Sequence, residues 1–123
     1  FYFYNAFLFL SIMKLLPSQR QKKRYVIFEI QSSQKFNFPE IREEINRSLM
    51  RFWGELGLSR ASPLILEEKF NREKQRFLVK INHKYVDELK AGIILTKTIK
   101  STPIIIKSII TSGTLKKVSL YLR

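Results

Sequence analysis

Cysteine is missing from this chain of 123 residues, and histidine occurs once, as His83. The lack of cysteine excludes disulfides, thiolate zinc sites and thiol nucleophiles, and it fits a reducing cytoplasm. A single histidine leaves no histidine cluster for a metal ion. The sequence also lacks the patterns of a phosphate-binding P-loop, a serine-hydrolase elbow and a zinc-protease helix. These absences disfavour most enzyme classes.

Acidic residues are also scarce. Asp and Glu number 10 against 23 Lys and Arg, which gives a net charge of +13. Such a field attracts polyanions, and nucleic acid is the first partner to consider. Hydrophobic residues make up 45% of the chain, which is ordinary for a folded domain and too high for a disordered basic tail. The length suits one domain with a single core.

No apolar run reaches the roughly 20 residues that a membrane-spanning helix needs. Residues 1–12 read FYFYNAFLFLSI, and Lys14 interrupts the apolar run that follows. The segment also lacks the basic start and the small-residue cleavage site of a secretory signal. We interpret residues 1–12 as an artefactual or disordered extension before a start at Met13. The alternative is a basic membrane-surface protein that residues 1–16 anchor, with residues 20–24 on the cytoplasmic side.

The next part of the chain predicts a basic arm, a strand and a helix. Residues 13–24 form the arm, and residues 25–30, YVIFEI, have the β-branched and aromatic content of a strand. Pro39 fits the first turn of a helix. The apolar stripe of this helix recurs at spacings of four and three, and it consists of Ile41, Ile45, Leu49, Phe52 and Leu56. Gly57 is expected just after the last helical residue, where glycine commonly ends a helix.

The rest of the chain predicts a hairpin, a second helix and a further strand. The predicted strands are residues 64–70, 77–81 and 104–110, and the predicted helix is residues 85–98. Val86, Leu89 and Ile93 lie on one face of that helix. The pattern leaves residues 115–122 open between a short helix and a strand.

This order of elements, β-α-β-β-α-β, is that of ferredoxin-like and RRM-like α+β domains. We expect residues 25–123 to form one such domain, with two helices on one face of an antiparallel sheet and a short C-terminal element. The other sheet face is either open or covered by the terminal segments. An RRM stacks bases on aromatic side chains of its third strand, but here Phe77 alternates with Val79 and Ile81 on the expected core face. The domain is therefore expected to bind the phosphates and shape of folded RNA.

The carboxylates do not predict an acid–base pair. Glu67 and Glu68 are adjacent on a strand, where neighbouring side chains point to opposite faces. Glu43 is expected on the solvated side of the first helix, where it can pair with Arg47. His83 is expected in a loop or at a helix cap. Trp53 and Phe52 are expected in the core rather than on a stacking surface.

Three basic features are the expected RNA contacts. The predicted RNA-binding residues are Arg20, Lys22, Lys23 and Arg24 in the arm; Arg72, Lys74, Arg76 and Lys80 around the hairpin; and Ser112, Gly113, Thr114, Lys116 and Lys117 after the last strand. Arg76 and Lys80 are expected on one strand face. If a helix follows, Ser112 or Thr114 would cap it and its N–H groups would face an anion. The alternatives are a solvated arm and a simple strand-ending turn.

Four short segments resemble a known family. They are KKRYVIF at residues 22–28, GELG at 54–57, HKYVDEL at 83–89 and SGTLKK at 112–117. In this order they are similar to the archaeal ribonuclease P protein component 2 family, the relatives of eukaryotic Pop-five. The resemblance covers nearly all of the chain from Met13 onward. The last residues, VSLYLR, are less basic than the tails of some relatives.

The resemblance implies a cytoplasmic, non-catalytic subunit of a ribonucleoprotein endonuclease that removes 5′ leaders from precursor tRNA. In that family the RNA holds the active site with its magnesium ions, and no catalytic or metal-binding residue is expected in this chain. The implied partners are the ribonuclease P RNA, precursor tRNA indirectly, and the TIM-barrel-like protein component 3. Two copies of each protein would form a heterotetramer, and no membrane partner is implied. A small-ligand regulatory domain on the same fold is a weaker alternative.

Overall fold

A computed structural model describes residues 22–123, which fold into strands and helices in the expected order. The strands are β1 (Lys23–Gln31), β2 (Leu64–Asn71), β3 (Arg76–Asn82), β4 (Thr98–Ile99), β5 (Thr102–Pro103) and β6 (Ile105–Ser112). The helices are α1 (Phe38–Ala61), α2 (Val86–Ile94) and α3 (Leu115–Ser119), with 3₁₀ turns at His83–Tyr85 and Leu120–Leu122. The predictions for residues 1–12 and for most of the arm, including Arg20, lie outside the described residues.

Four strands form an antiparallel sheet in the order β2-β3-β1-β6. Helix α1 connects β1 to β2, and helix α2 lies in the connection from β3 to β6. The ferredoxin-like α+β arrangement is therefore confirmed. Strand β1 is central, and it pairs with β3 on one side and β6 on the other. It begins at Lys23, two residues earlier than predicted. Lys23 and Arg24 therefore belong to the sheet.

The two faces of β1 contribute to two separate apolar clusters. Val26, Phe28 and Ile30 lie under α1 and α2 in the larger cluster. Phe77 is fully buried in the same cluster, and its ring stacks on that of Phe28 with centroids 5.5 Å apart. The prediction that Phe77 faces the core is confirmed. This side chain is not available to stack on a base.

The second cluster lies on the opposite face of the sheet, where α3 covers part of it. Val118 and Leu122 pack there on Ile27 and Leu78. Residues 115–122 are therefore helical rather than a further strand, which decides the alternative that the sequence pattern left open. The C-terminal segment, in turn, covers part of the second sheet face.

Helix α1 corrects the prediction that Gly57 ends the helix. The helix continues to Ala61, and Ser62 ends it in a left-handed conformation (φ 49°). The helical backbone is instead broken at Gly54, with φ 71° and ψ −179°. Gly57 is regularly helical and lies against Trp53, whose Cβ would be 2.9 Å from a Cβ at position 57. The local pattern could not show which glycine carries the break.

The predicted stripe of α1 is buried only in its first half. Ile41, Ile45 and Leu49 are fully buried, whereas Phe52 is 40% and Leu56 is 66% exposed. Trp53 packs against the core as expected, with its ring edge-on to that of Tyr85. The prediction for Phe52 is therefore wrong in part: its ring lies against Gly92 of α2, at the edge of the core, and stays partly exposed.

A small hairpin, β4–β5, replaces the last turn of the predicted second helix. Helix α2 ends at Ile94, and Lys100 and Ser101 turn the chain with φ of 49° and 64°. Neither residue is the glycine or asparagine that usually marks such a turn, so the turn could not be recognised from residue type. Within residues 22–123, no helix is both long and apolar enough to span a membrane.

Candidate nucleic-acid interface

Residues 22–24, the described end of the basic arm, lie beside the turn after β6, although the two are far apart in the sequence. Tyr25 pairs with Ser112 across β1 and β6, which places Gly113 next to Arg24. A Cβ at position 113 would lie 3.2 Å from Nη1 and 3.6 Å from Cζ of Arg24. Glycine here lets the guanidinium approach the backbone of the turn. The fold thus joins two of the three predicted RNA-binding features.

His83 fixes the start of β1. Its backbone N–H donates to the carbonyl oxygen of Lys22 over 2.9 Å, and its ring Nδ1 is 3.1 Å from the same oxygen. His83 begins the 3₁₀ turn between β3 and α2 rather than lying in a loop or at a cap, and these contacts give it a structural role. They also hold the backbone of Lys22 in place while its side chain stays exposed.

The turn before α3 is stabilised locally. The Oγ of Ser112 accepts a hydrogen bond from the N–H of Thr114 over 3.2 Å. Thr114 occupies the N-cap position of α3, but its side chain makes no capping hydrogen bond. The prediction that one of these hydroxyls caps the helix is therefore wrong, because the Ser112 oxygen is already bonded within the turn. Lys116 and Lys117 follow on α3 with exposed side chains.

Lys80 lies on the same sheet face as Tyr25 and Ser112. The pairings Tyr25–Lys80 and Tyr25–Ser112 set the three residues in one row across β3, β1 and β6. We define the basic patch as the residues that meet at this end of the sheet. They are Lys22, Lys23, Arg24, Lys80, Ser112, Gly113, Thr114, Lys116 and Lys117.

The cations of the basic patch are not neutralised by nearby carboxylates. Within residues 22–123, none of its six Lys and Arg side chains forms an ion pair. The sequence contributes to this, because residues 89–123 hold seven Lys and Arg and no Asp or Glu. A phosphate backbone could therefore contact these cations without displacing an internal partner.

The carboxylates instead pair with cations elsewhere on the surface. Glu43 and Glu44 contact Arg47 at 3.2 and 3.1 Å, which confirms the predicted pairing of Glu43. Glu40 accepts a hydrogen bond from Lys100 over 2.9 Å, and this bond lowers the pKa of its carboxyl. These three ion pairs involve carboxylates of α1, on the helical side of the domain.

The hairpin end of β3 carries the rest of the second predicted patch, and its side chains have protein partners. Arg72 donates to Asn37 over 3.0 Å, and Arg76 donates to the carbonyl oxygen of Tyr121 over 2.7 Å. Lys74 donates to the carbonyl oxygen of Arg123. Lys80 lies four positions after Arg76 along β3, a distance of roughly 13 Å on the same face. Only Lys80 reaches the basic patch.

The two adjacent carboxylates of β2 do not converge on a shared site. Glu67 and Glu68 are both exposed on β2. Among the described residues, no group of three His, Asp or Glu side chains is placed to hold a metal ion.

A groove between α1 and α2 is a surface feature that the sequence patterns did not indicate. Its volume is about 430 Å³, and Phe52, Gly92 and Leu95 supply its apolar wall. A Cβ at Gly92 would lie 3.2 Å from the Phe52 ring, so this glycine allows the close approach of the two helices. At 63% exposure, Leu95 is among the most exposed large apolar side chains of the described residues.

Comparison with known proteins decides the family. A sequence model of the Rpp14/Pop5 family matches residues 24–123. This chain belongs to the Rpp14/Pop5 family. The resemblance that four short segments indicated is therefore confirmed.

Several archaeal proteins are similar to this chain over most of its length. Ribonuclease P protein component 2 of Pyrococcus furiosus is 34% identical over 103 residues, which is 84% of each chain. The protein of the same name from Pyrococcus abyssi is 30% identical over 88% of this chain and 90% of its own. A chain in the cryo-EM structure of yeast ribonuclease MRP superposes with a TM-score of 0.60 at 14% identity, covering 85% of this chain and 88% of that one. That likeness supports the fold.

Proposed function

We propose that this chain is a non-catalytic protein subunit of ribonuclease P, working in the cytoplasm. In this role it binds and stabilises the catalytic RNA for removal of 5′ leaders from precursor tRNA. The observation that carries the proposal is the similarity to archaeal proteins named ribonuclease P protein component 2, at 34% identity over 84% of the chain. The basic patch supports the RNA-binding part of the proposal.

The basic patch suits a folded RNA better than a single strand. Lys80 and Lys23 stand on a rigid strand pair, and Lys116 and Lys117 stand on α3 beside it. Phe28 and Phe77, the stacked aromatic pair of the sheet, are fully buried and unavailable to bases. Cations held on a rigid sheet and helix are suited to contact the phosphates of a structured RNA rather than the bases of a single strand.

The chemistry in this proposal belongs to the RNA. Magnesium ions at the RNA active site would activate water for hydrolysis of the precursor-tRNA phosphodiester. The protein's cations would reduce repulsion between RNA segments that approach each other, which lowers the magnesium concentration needed for the active conformation.

We also infer a protein partner, the TIM-barrel-like component 3, in a heterotetramer with two copies of each chain. The groove between α1 and α2 is the surface that we would test for this contact. Phe52 and Leu95 expose apolar area there, whereas the basic patch lies on another part of the domain. A Leu95→Glu variant should lose co-elution with component 3 and keep its RNA affinity. Retained co-elution would exclude this groove as the contact.

The RNA-binding part is tested by charge removal at both sides of the basic patch. Lys22→Gln/Lys116→Gln should lower the slope of log K against log salt by about 1.4–1.8, at about 0.7–0.9 per phosphate contact. The matched control is Arg42→Gln/Arg60→Gln, which removes two exposed cations from α1. Binding of cognate ribonuclease P RNA is measured by filter retention over a salt series. Equal slopes for the two variants would argue against the patch.

The subunit role is tested by reconstitution. Precursor-tRNA cleavage is measured with the cognate RNA and the other protein subunits, with and without this chain, at low magnesium. Omission should reduce the rate, and addition of excess magnesium should restore part of it. An unchanged rate on omission would refute the proposed function.

A further inference from the structure

The end of the chain is held by side chains of the β2–β3 hairpin. Arg76 Nη1 donates to the carbonyl oxygen of Tyr121 over 2.7 Å, and Asn71 Nδ2 donates to that of Leu122 over 2.6 Å. Lys74 Nζ donates to the next carbonyl oxygen, that of Arg123. The last carbonyls of a helical segment lack partners within it. Here three side chains of the hairpin donate hydrogen bonds to these carbonyls, and we call the three residues the carbonyl clamp.

Helix α3 depends on such contacts because it is short. It has five residues, followed by one 3₁₀ turn, and isolated helices shorter than about 12–15 residues are marginal in water. Val118 and Leu122 are buried on the sheet, and Leu115 packs partly against the same cluster. The carbonyl clamp adds hydrogen bonds at residues 121–123, at the far end of this short segment.

The guanidinium of Arg76 is directed into the protein. It contacts Glu29 at 3.8 Å in addition to the Tyr121 carbonyl, and its Nε is buried without a hydrogen-bond partner. The side chains of Arg76 and Glu29 are each only 22% exposed. This arrangement fits a residue that binds the C-terminal segment, and it leaves little of the cation for a phosphate.

We propose that Asn71, Lys74 and Arg76 are positioning residues for RNA binding. They fix the 3₁₀ turn and last residue that follow α3, and through them hold α3 so that Lys116 and Lys117 stand within the basic patch. The other end of α3 is fixed through Gly113, which lies against Arg24. This inference rests on the proposed RNA-binding function and assigns Lys74 and Arg76 a different role from the direct contact that the sequence predicted.

Asn71 offers a sharp test because it carries no charge. Lys116→Gln/Lys117→Gln should lower the salt slope for cognate ribonuclease P RNA by about 1.4–1.8, and the affinity at about 0.1 M salt by roughly 25- to 60-fold. Asn71→Ala removes no cation, yet it should lower the slope by at least about 0.7 through displacement of α3. In the protein that already carries the two lysine substitutions, Asn71→Ala should change the RNA affinity less than about twofold. The lysine contacts that it would displace are then absent, so the effects of the substitutions do not add.

A second variant separates positioning from direct contact. Arg76→Gln should weaken binding in the same non-additive way, and Arg76→Lys should restore part of it by keeping a donor for Tyr121. The matched control is Arg72→Gln, which removes one cation from the same hairpin but none of the bonds to the C-terminal segment. It should leave amide exchange in α3 unchanged.

Hydrogen exchange of the α3 amides in the free protein is the readout that does not involve RNA. Asn71→Ala and Arg76→Gln should each speed exchange at residues 118–122 by about tenfold or more. Asn71→Asp should do the same, although it keeps the oxygen that accepts from the Lys74 N–H.

The outcomes separate this inference from the proposed function. Unchanged α3 exchange in these variants, or additive losses of RNA affinity, would overturn the positioning role and leave the proposed function standing. Failure of the parent protein to bind the RNA would overturn the proposed function itself.

Discussion

Substitution of Gly54 by alanine tests the break in α1. Nothing lies within 4 Å of a Cβ at this position, so the substitution meets no steric neighbour. The cost is conformational, because φ 71° with ψ −179° belongs to a region that is essentially restricted to glycine. That strain costs about 1–3 kcal/mol, and the reduced freedom of the unfolded chain offsets about 0.4–1 kcal/mol. The expected net destabilisation is about 1–2 kcal/mol.

An unbroken α1 helix would instead predict that Gly54→Ala raises the free energy of unfolding. If α1 ran unbroken through position 54, alanine would stabilise it by up to about 1 kcal/mol. Urea denaturation followed by far-ultraviolet circular dichroism measures the difference. A domain of this size should lose roughly 4–8 °C in Tm for each kcal/mol.

A control in the same helix separates the break from general helix propensity. Asn46 is exposed and lies in the regular part of α1. Asn46→Ala should therefore stabilise by a few tenths of a kcal/mol. If Gly54→Ala raised the stability as Asn46→Ala does, the broken helix would be refuted.

Three further substitutions probe the core and the surface charges. Gln75→Ala should cost about 2–3 kcal/mol in urea denaturation, because it leaves the buried N–H and C=O of Phe36 without their partners; a loss under 1 kcal/mol would contradict this. Phe77→Ala should cost about 3–5 kcal/mol through cavity formation in the larger cluster, and a near-neutral effect would exclude its core role. Lys100→Gln should raise the pKa of Glu40 toward its ordinary value in an NMR titration, because the Lys100 hydrogen bond lowers that pKa. Because the carboxyl has a lowered pKa in the folded state, its pairing with Lys100 stabilises the fold at pH values above the ordinary pKa of Glu. This contribution disappears as the pH falls through the folded-state pKa. An unchanged Glu40 pKa in the variant would disprove the pairing.

The strand and helix order could be predicted because local patterns encode it. Val26, Phe28 and Ile30 alternate with residues of the opposite sheet face, and Ile41, Ile45 and Leu49 recur at helical spacing. All six are buried as those periods require. The family was also accessible from sequence, since four segments preserve their order along the chain.

The helix break and the small hairpin could not be predicted because no local signal marks them. Gly54 and Gly57 are equally plausible helix breakers, and only the packing of Trp53 on Gly57 distinguishes them. Lys100 and Ser101 adopt left-handed conformations without a glycine. In both places tertiary contacts outweigh residue preference.

The shape of the candidate interface depends on pairing between distant strands. The sequence identified the cations, but the contact of Arg24 with Gly113 requires the register of β1 against β6. The clamp on the last carbonyls similarly requires the hairpin to meet the end of the chain. Residue type alone therefore could not separate Lys80, which lies in the patch, from Arg76, which does not.

The early start of β1 has a consequence for the entropy of RNA binding. Lys23 and Arg24 stand on a backbone that is already hydrogen-bonded to β3 or β6 before any RNA arrives. A flexible arm would lose about 1–2 kcal/mol of backbone freedom per residue on binding, whereas these residues need to order only their side chains, at about 0.5–1.5 kcal/mol each. The spacing of the two charges is also fixed in advance. A preorganised strand end of this kind can favour one arrangement of phosphates over others, which a tethered cation cannot do.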